Sequence, residues 1–376
     1  MKNNSGSEIS AFKSAYHLLI RTAKRSVNTI NQEPHNLALF CRTLSNALED
    51  EDKVIHVAGV GLSKQIGMIL GESLKNIGFS NRVSYLGDVL ALPIKKDDVM
   101  IAITGSGWTT PTTTVLEEAV WKKAKVLTFT GFSDSKAAKL SEATIQSPLG
   151  FKLEDQLSPY TSKPAPLSPL GTIFELTTFI IGLGIINGVY KGSCTKGFNE
   201  GTNNILKAAE QSFENLTKEV KLFDCIKVLS DYYRKSKSKI FFYGNGLEEV
   251  IVSMCSSRFQ SLGMNIHSMA DWRFRREKDL LIVFSGSGDS PITSVIIESA
   301  KTSGMFVFGI TSFPQSRLAL KSDNFLIIQG RKERIDNEKL QLIHSRMYLP
   351  IFEYIITVTL EAIIAQLVVN LGIPET

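Results

Sequence analysis

The chain says the same thing twice. VIHVAGVGLS at 54–63 returns as KIFFYGNGLE at 239–248, VMIAITGSGWT at 99–109 returns as LLIVFSGSGDS at 280–290, and SPLGTIFE at 168–175 is answered by RMYLPIFE at 346–353. Gly59 and Gly244 stand 185 positions apart, Thr104 and Ser285 181, and Glu175 and Glu353 178, so order is kept and spacing drifts only slowly. Self-similarity at such a period is the mark of duplicated units. A chain of 376 residues also exceeds what one hydrophobic core ordinarily supports. Two related domains, 1–195 and 196–376, are therefore predicted, and any function has to be built from both.

Each copy reads as strand, glycine turn, helix, short strand, strand, hydroxyl turn, helix, strand. In the first copy these are VIHVAG, LSKQIGMILGESLKNIG, RVSYL, VMIAIT, TTTVLEEAVWKKA and KVLTFT. Strands alternating with helices imply a parallel sheet, and continuous apolar strands imply that both its faces are covered: an α/β fold, twice. One or two amphipathic helices (Phe12, Tyr16, Leu19, Ile20) precede the first copy, and residues 201–235 repeat that role before the second. KGSCTKGFNEG, with three glycines and little apolar content, reads as the join between domains. The Pro- and Ser-rich stretch 147–169 reads as a long functional loop.

Composition narrows the partners. The excess of 42 basic over 37 acidic residues is mild and spread out, so nucleic acid is not the expected partner. RRE at 275–277 and GRKER at 330–334 read as solvated loops. Cys41, Cys194, Cys225 and Cys255 have neither metal-type nor redox-type spacing, and no signal peptide is read before them, which points to a reducing cytoplasm. The apolar stretches 172–189 and 350–374 carry Glu175 in one, and Glu353 and Glu361 in the other. An acidic side chain costs roughly 3 kcal/mol near a bilayer centre, so both are read as helices buried in protein, not as membrane spans.

Thr104-Gly105-Ser106-Gly107-Trp108-Thr109 follows a buried strand and precedes a helix. Backbone N–H groups and the positive dipole end at a helix start, glycines that admit an anion, and hydroxyl donors together make a phosphate cradle without a lysine. Ser285, Ser287 and Ser290 repeat it. The plainer alternative is that these hydroxyls only cap a helix. Gly59 and Gly61, and Gly244 and Gly246, begin a dinucleotide-type fingerprint, but its third glycine position is Lys64 or Glu249. They read better as a tight turn lining the same crevice. Glu175 stands one turn into an apolar helix, where burial would raise its pKa and suit it to take a proton from carbon. Alternatively it only complements the helix dipole.

The succession GxG(x)S, SGSGxT and PLGTxFE resembles the sugar isomerase domain family, and most closely its 6-phospho-3-hexuloisomerase branch, over nearly the whole chain. The resemblance implies two tandem flavodoxin-like domains, each a five-stranded parallel sheet with helices on both faces, forming an intramolecular pseudo-dimer that binds a sugar phosphate where the domains pair. Whether pairs associate further stays open. It implies conversion of a 3-hexulose 6-phosphate to fructose 6-phosphate without metal or organic cofactor. Thr104, Ser106 and Thr109 would hold phosphate, with Gly59, Gly61 and Ser63 beside them and Glu175 as base. Ser285, Ser287, Ser290, Gly244, Gly246 and Glu353 are the second copy's counterparts. Where the branch has an arginine after its first turn this chain has Leu62 and Leu247, and where it has a histidine on the next helix this chain has Asn76 and Ser261.

Two other readings compete: a phosphosugar-binding sensor without catalysis, favoured by those departures, and an amino-sugar phosphate isomerase or deaminase. In either enzyme reading the first copy is expected to carry the chemistry. The second has Glu248 in place of Ser63, Asp289 inside its hydroxyl turn and YLPIFE in place of LGTIFE. A carboxylate about 6 Å from one phosphate charge costs about 3 kcal/mol at an effective dielectric of 20. The second domain would then complete the first site, with His344 or Arg258 as its contribution.

Overall fold

An apolar strand flanked by two helical layers has no polar face to turn outward, and the structure meets that requirement twice. A computed structural model describes residues 9–148, 172–235, 237–330 and 348–373. The first half carries strands β1 (Ile55–Ala58), β2 (Val83–Tyr85), β3 (Val99–Ile103), β4 (Lys125–Thr130) and β5 (Ala143–Gln146). Their order, β2-β1-β3-β4-β5, is the flavodoxin-like one, with every pair parallel. In the second half β6 (Ile240–Tyr243), β7 (Ile266–His267), β8 (Leu280–Phe284), β9 (Phe306–Thr311) and β10 (Asn324–Ile327) repeat that order, again all parallel.

Alternate residues of a strand serve different cores. Val99, Ile101 and Ile103 join a cluster that runs through both halves, from Phe12 to Leu367. Met100 and Ala102 instead meet Leu116 and Ala119 of the helix α4 (Thr110–Trp121) on the outer face. The second half has the same outer cluster, Leu281 and Val283 against Ile297 of its outer helix. Asp98 and Asp279 stand just before β3 and β8. Asp98 accepts from Val54 N and Lys95 N, and Asp279 from Lys239 N and Arg276 N, fixing the entry to each central strand.

The helices that begin and end the two halves tie them together. α1 (Ser10–Gln32) and α2 (His35–Glu49) precede the first sheet, α3 (Leu62–Leu74) follows β1, and the short α5 (Lys136–Lys139) follows β4. α6 (Thr172–Tyr190) closes the first half. α7 (Cys194–Leu216), α8 (Val220–Arg234), α9 (Leu247–Ser261), α10 (Pro291–Thr302), α11 (Arg317–Lys321) and α12 (Ile351–Leu371) are their counterparts in the second. α1 packs on α12, and α7 packs on α6, so each half's leading helix covers the other half's last one. Phe12 N donates to Gln366 Oε1 at 3.1 Å, Tyr16 OH to Ala209 O at 2.9 Å, and the Phe179 and Tyr354 rings meet edge-on at 5.5 Å. α3 and α9 also cross, with Gln65 Nε2 donating to Ser253 Oγ at 2.9 Å.

One expectation is sharpened and one changes. The join is short: α6 ends at Tyr190 and α7 starts at Cys194, so most of KGSCTKGFNEG is helix, and the glycines within α7 face α6. A Cβ on Gly197 would stand 2.7 Å from Gly188 Cα, so the side-chain-free surface serves helix contact, not loop freedom. Cys41 and Cys194, unremarkable in spacing, form a disulfide joining α2 to the start of α7, whereas Cys225 and Cys255 are free and buried.

α6 and α12 are both long and apolar enough to cross a membrane, but 100% and 78% of their apolar windows are buried in the protein, as read from their acidic residues. Inside α12, Glu361 is held by Arg258 of α9, which donates from Nε at 2.8 Å and from its second terminal nitrogen at 3.0 Å. Breaking such a pair strands a buried charge, whereas replacing both partners with apolar groups does not. Arg258→Met is expected to cost about 3–5 kcal/mol in urea denaturation. The double change Arg258→Met with Glu361→Leu should recover most of that loss.

Candidate functional site

In an open parallel sheet the crevice for a ligand forms beyond the carboxyl ends of the strands, where the strand order reverses. That point lies between β1 and β3, and both sequence-predicted turns of the first copy are there. Gly59 and Gly61 join β1 to α3, with Ser63 in its first turn. Thr104 to Thr109 join β3 to α4. Gly61 and Gly246 are the residues just before α3 and α9 and have φ of +61° and +67°, a conformation that side chains disfavour, which explains the glycine at both places.

The three hydroxyls of the first turn converge. Thr104 Oγ1 lies 3.3 Å and Ser106 Oγ 3.4 Å from Thr109 Oγ1, while Thr104 Oγ1 accepts from Gly107 N and Ser106 Oγ from Trp108 N. Thr109 flanks α4 but makes no capping bond to it, and neither does Ser290 to α10, which weighs against a purely capping role for either. The second copy reproduces the two hydroxyl-to-backbone bonds: Ser285 Oγ accepts from Gly288 N and Ser287 Oγ from Asp289 N. Gly59, Gly244 and Gly246 fall where the turn reading puts them.

Glu175 comes to this crevice from α6. Its Oε1 accepts from Ser63 Oγ at 2.8 Å, a bond across 112 residues that joins two motifs the sequence offered separately. Its Oε2 is buried and has no hydrogen-bond partner among the described residues. Burial, chiefly, pushes the carboxyl from an ordinary 4.5 up to about 7. The Ser63 bond pulls it down, Glu361 raises it and Arg258 lowers it, so charges of the second half act on a carboxyl of the first. Glu175 does stand at a helix start, but buried and hydrogen-bonded as it is, it does more than complement a dipole.

The second copy departs at this place. Glu353, wholly buried at the start of α12, accepts from Tyr348 OH through both carboxylate oxygens at 2.9 Å. Glu248, at the position of Ser63, accepts from Gly286 N at 3.1 Å. Asp289 Oδ1 accepts from Arg317 N at 2.9 Å, at the start of α11. Leu62 and Leu247 open α3 and α9. Asn76 borders a cleft of about 700 Å³ between those helices, next to Gly246 and Leu247. His344, Pro169 to Gly171, nearly all of the 147–169 stretch and GRKER beyond Gly330 lie outside the described residues.

The sequence reading missed the role of Glu361, which it weighed only against a membrane. The signal was present: a glutamate in mid-helix among apolar residues needs a buried donor or cation, and Arg258 was already under consideration.

The profile of the SIS domain family matches residues 48–174, which span β1 to the start of α6. An uncharacterised protein of Aeropyrum pernix is 30% identical over 166 residues, covering 43% of this chain and 76% of that protein. The 3-hexulose-6-phosphate isomerase of Mycobacterium gastri is 28% identical over 132 residues, 34% of this chain and 64% of that enzyme. The crystal structure of tagatose-6-phosphate ketose/aldose isomerase from Escherichia coli superimposes with a TM-score of 0.65 at 13% identity, over 96% of this chain and 93% of that one, a likeness of fold. With a relative of that identity covered over most of its length, and a profile match on the half that holds Ser63, Thr104 and Glu175, the chain belongs to the SIS domain family.

Proposed function

We propose that the chain is a sugar-phosphate isomerase whose working site lies in the first half, with Glu175 as the base and Thr104, Ser106 and Thr109 as the phosphate cradle. One observation carries the reading. The carboxyl of Glu175 is buried beside the switch point of the sheet, hydrogen-bonded to Ser63 on one oxygen and poised near neutrality. A general base works best with a pKa near the working pH. A structural carboxylate would instead be expected to have both oxygens satisfied.

For a 3-hexulose 6-phosphate, Glu175 takes the proton from C2 and the electron pair forms an enediolate across C2 and C3. The proton on the C2 hydroxyl passes to the oxygen at C3, and Glu175 returns its proton to C3, leaving the carbonyl at C2. Atoms and electrons balance without a co-reactant. Ser63 keeps the acceptor oxygen oriented, and the Arg258–Glu361 pair sets the field around it. The hexulose substrate is the finer part of the proposal, supported by the likeness to the Mycobacterium gastri enzyme and by the GTIFE ending. The division at 195/196 and a cytoplasmic location belong to the same proposal, although the Cys41–Cys194 bond weighs against a reducing compartment.

The sensor reading keeps one specific argument, the leucines and Asn76 and Ser261 at the branch's arginine and histidine positions. Solvent exchange separates the two. In deuterated water an isomerase incorporates deuterium at C3 of fructose 6-phosphate and at C2 of the 3-hexulose 6-phosphate. A folded protein that binds these esters yet exchanges neither position is a sensor.

Charge-assisted hydrogen bonds to phosphate are each worth about 1.5–3 kcal/mol. Ser106→Ala with Thr109→Ala is therefore expected to weaken sugar-phosphate binding at least tenfold in calorimetry, with circular dichroism unchanged. Unaltered affinity would reduce both hydroxyls to a structural role.

Glu175→Gln keeps shape but not basicity, so turnover should collapse while binding survives, and Glu353→Gln should cost much less. The ionised form is the active one, so kcat/KM is expected to rise with a midpoint near pH 7. Stability has the opposite sign. The folded-state pKa exceeds the ordinary 4.5, so the folded wild type holds a proton that the unfolded chain releases between pH 4.5 and 7. Relative to Glu175→Gln, the wild type should be at its best below pH 4.5 and lose about 3 kcal/mol by pH 7 and above. A flat stability difference across that range would contradict the raised pKa.

A further inference from the structure

The two hydroxyl turns are anchored to their neighbouring strands and turns alike, but a carboxylate enters one of them and not the other. Ser285 N and Thr104 N each donate to the neighbouring strand, at Ile310 O and Phe129 O. Gly286 O and Gly105 O each accept from the turn that follows that strand, at Ser312 N and Gly131 N. Leu318 N and Ala137 N donate to Gly288 O and Gly107 O. The first glycine N–H of each turn differs. Gly286 N donates to the carboxylate of Glu248, whereas nothing among the described residues accepts from Gly105 N.

The cause lies in one substitution. In the first half Ser63 reaches Glu175. Glu248 stands at the position of Ser63, and Glu353 at that of Glu175. If Glu248 made the same reach, two carboxylates would meet in a buried space, which is strongly unfavourable unless one is protonated. Glu248 turns to Gly286 instead, and Glu353 takes its donor from Tyr348. Glu248 is 9% exposed, so its charge sits inside the turn and not at its rim. Backbone N–H groups before a helix start suit an anion, and here the chain supplies the anion itself.

We propose that Glu248 is a built-in occupant of the second phosphate cradle. It takes the backbone donor that a phosphate oxygen would use and leaves a negative charge there, so the chain binds phosphate at one cradle only. Residue 248 thereby sets the number of phosphate sites per chain. This rests on reading the hydroxyl turns as phosphate cradles, and the test separates the two claims.

The probe is inorganic phosphate titrated into full-length protein labelled with 15N-glycine, following the Gly105 and Gly286 amide signals. In the wild type Gly105 should shift with phosphate while Gly286 stays still. In Glu248→Ser, which restores the residue of the first half, both should shift, calorimetry should count two sites instead of one, and affinity at the second cradle should rise at least tenfold. Adding Ser287→Ala and Ser290→Ala should remove the gained site. If Glu248→Ser does not fold, Glu248→Ala, which removes both the charge and the acceptor, carries the test: a phosphate shift at Gly286 that the wild type lacks supports the proposal, and silence there overturns it. Equal response of Gly286 in wild type and variant also overturns it. A silent Gly105 in every protein sinks the cradle reading of the first half, while Gly286 still decides the role of Glu248.

Discussion

α6 and α12 can show almost no side chain to water, and the arrangement of both halves follows from covering them. α6 is buried from Thr172 to Val189, and α12 from Phe352 to Leu367. A helix apolar all round has to be wrapped on every side. A single sheet shields one side only, so the rest comes from α1 and α7, each laid on the other half's terminal helix, and from the contact of α6 with α12 itself. The consequence is one core shared by both halves. The same burial makes the acids in these helices consequential. Each needs a partner in a medium of low dielectric, and each found a different one: Ser63 for Glu175, Tyr348 for Glu353, Arg258 for Glu361.

That economy of partners explains the difference between the first two carboxylates. A tyrosine hydroxyl bonded to both oxygens satisfies Glu353 within its own neighbourhood. Among the described residues Glu175 receives one side-chain donor and keeps a buried oxygen without a partner, which is costly for an ionised group and suits the proton exchange proposed for it. Arg258 and Glu361 act on it from the other half with opposite signs. Burial and the Ser63 bond dominate its electrostatics, and the second half adds two smaller, opposed contributions.

The repeat made the fold readable. Apolar runs without alternation announced doubly covered parallel strands, and the paired glycine and hydroxyl turns fixed where loops fall at the switch point, because strand and turn chemistry is local. The glycines of KGSCTKGFNEG do more than mark a join. Gly197 and Gly201 lack a side chain because Gly188 and Asn187 press on them, and close helix contact leaves the same mark in a sequence as a flexible join. Ser63 and Glu175 were each legible as chemistry, but their bond depends on how α6 crosses α3, which no local pattern encodes. The Cys41–Cys194 pairing was illegible for the same reason: its partners are 153 residues apart and meet only through helix packing.

Fusion of the two copies in one chain removes a constraint that identical subunits would obey. In a symmetric pair of identical subunits, exchanging the serine at position 63 for a glutamate would alter both sites at once. In a tandem chain the exchange touches one, and the other remains free to keep Ser63 and its bond to Glu175. The second half is then released from binding and can be shaped as a support. Its Arg258–Glu361 pair lies where it tunes Glu175, its α9 braces α3, and its own cradle is held closed by a carboxylate that keeps the turn's geometry without a ligand. Divergence at Glu248, Asp289 and YLPIFE, set beside retention of the SGSG turn, is the pattern expected when one copy keeps the chemistry and the other keeps the shape.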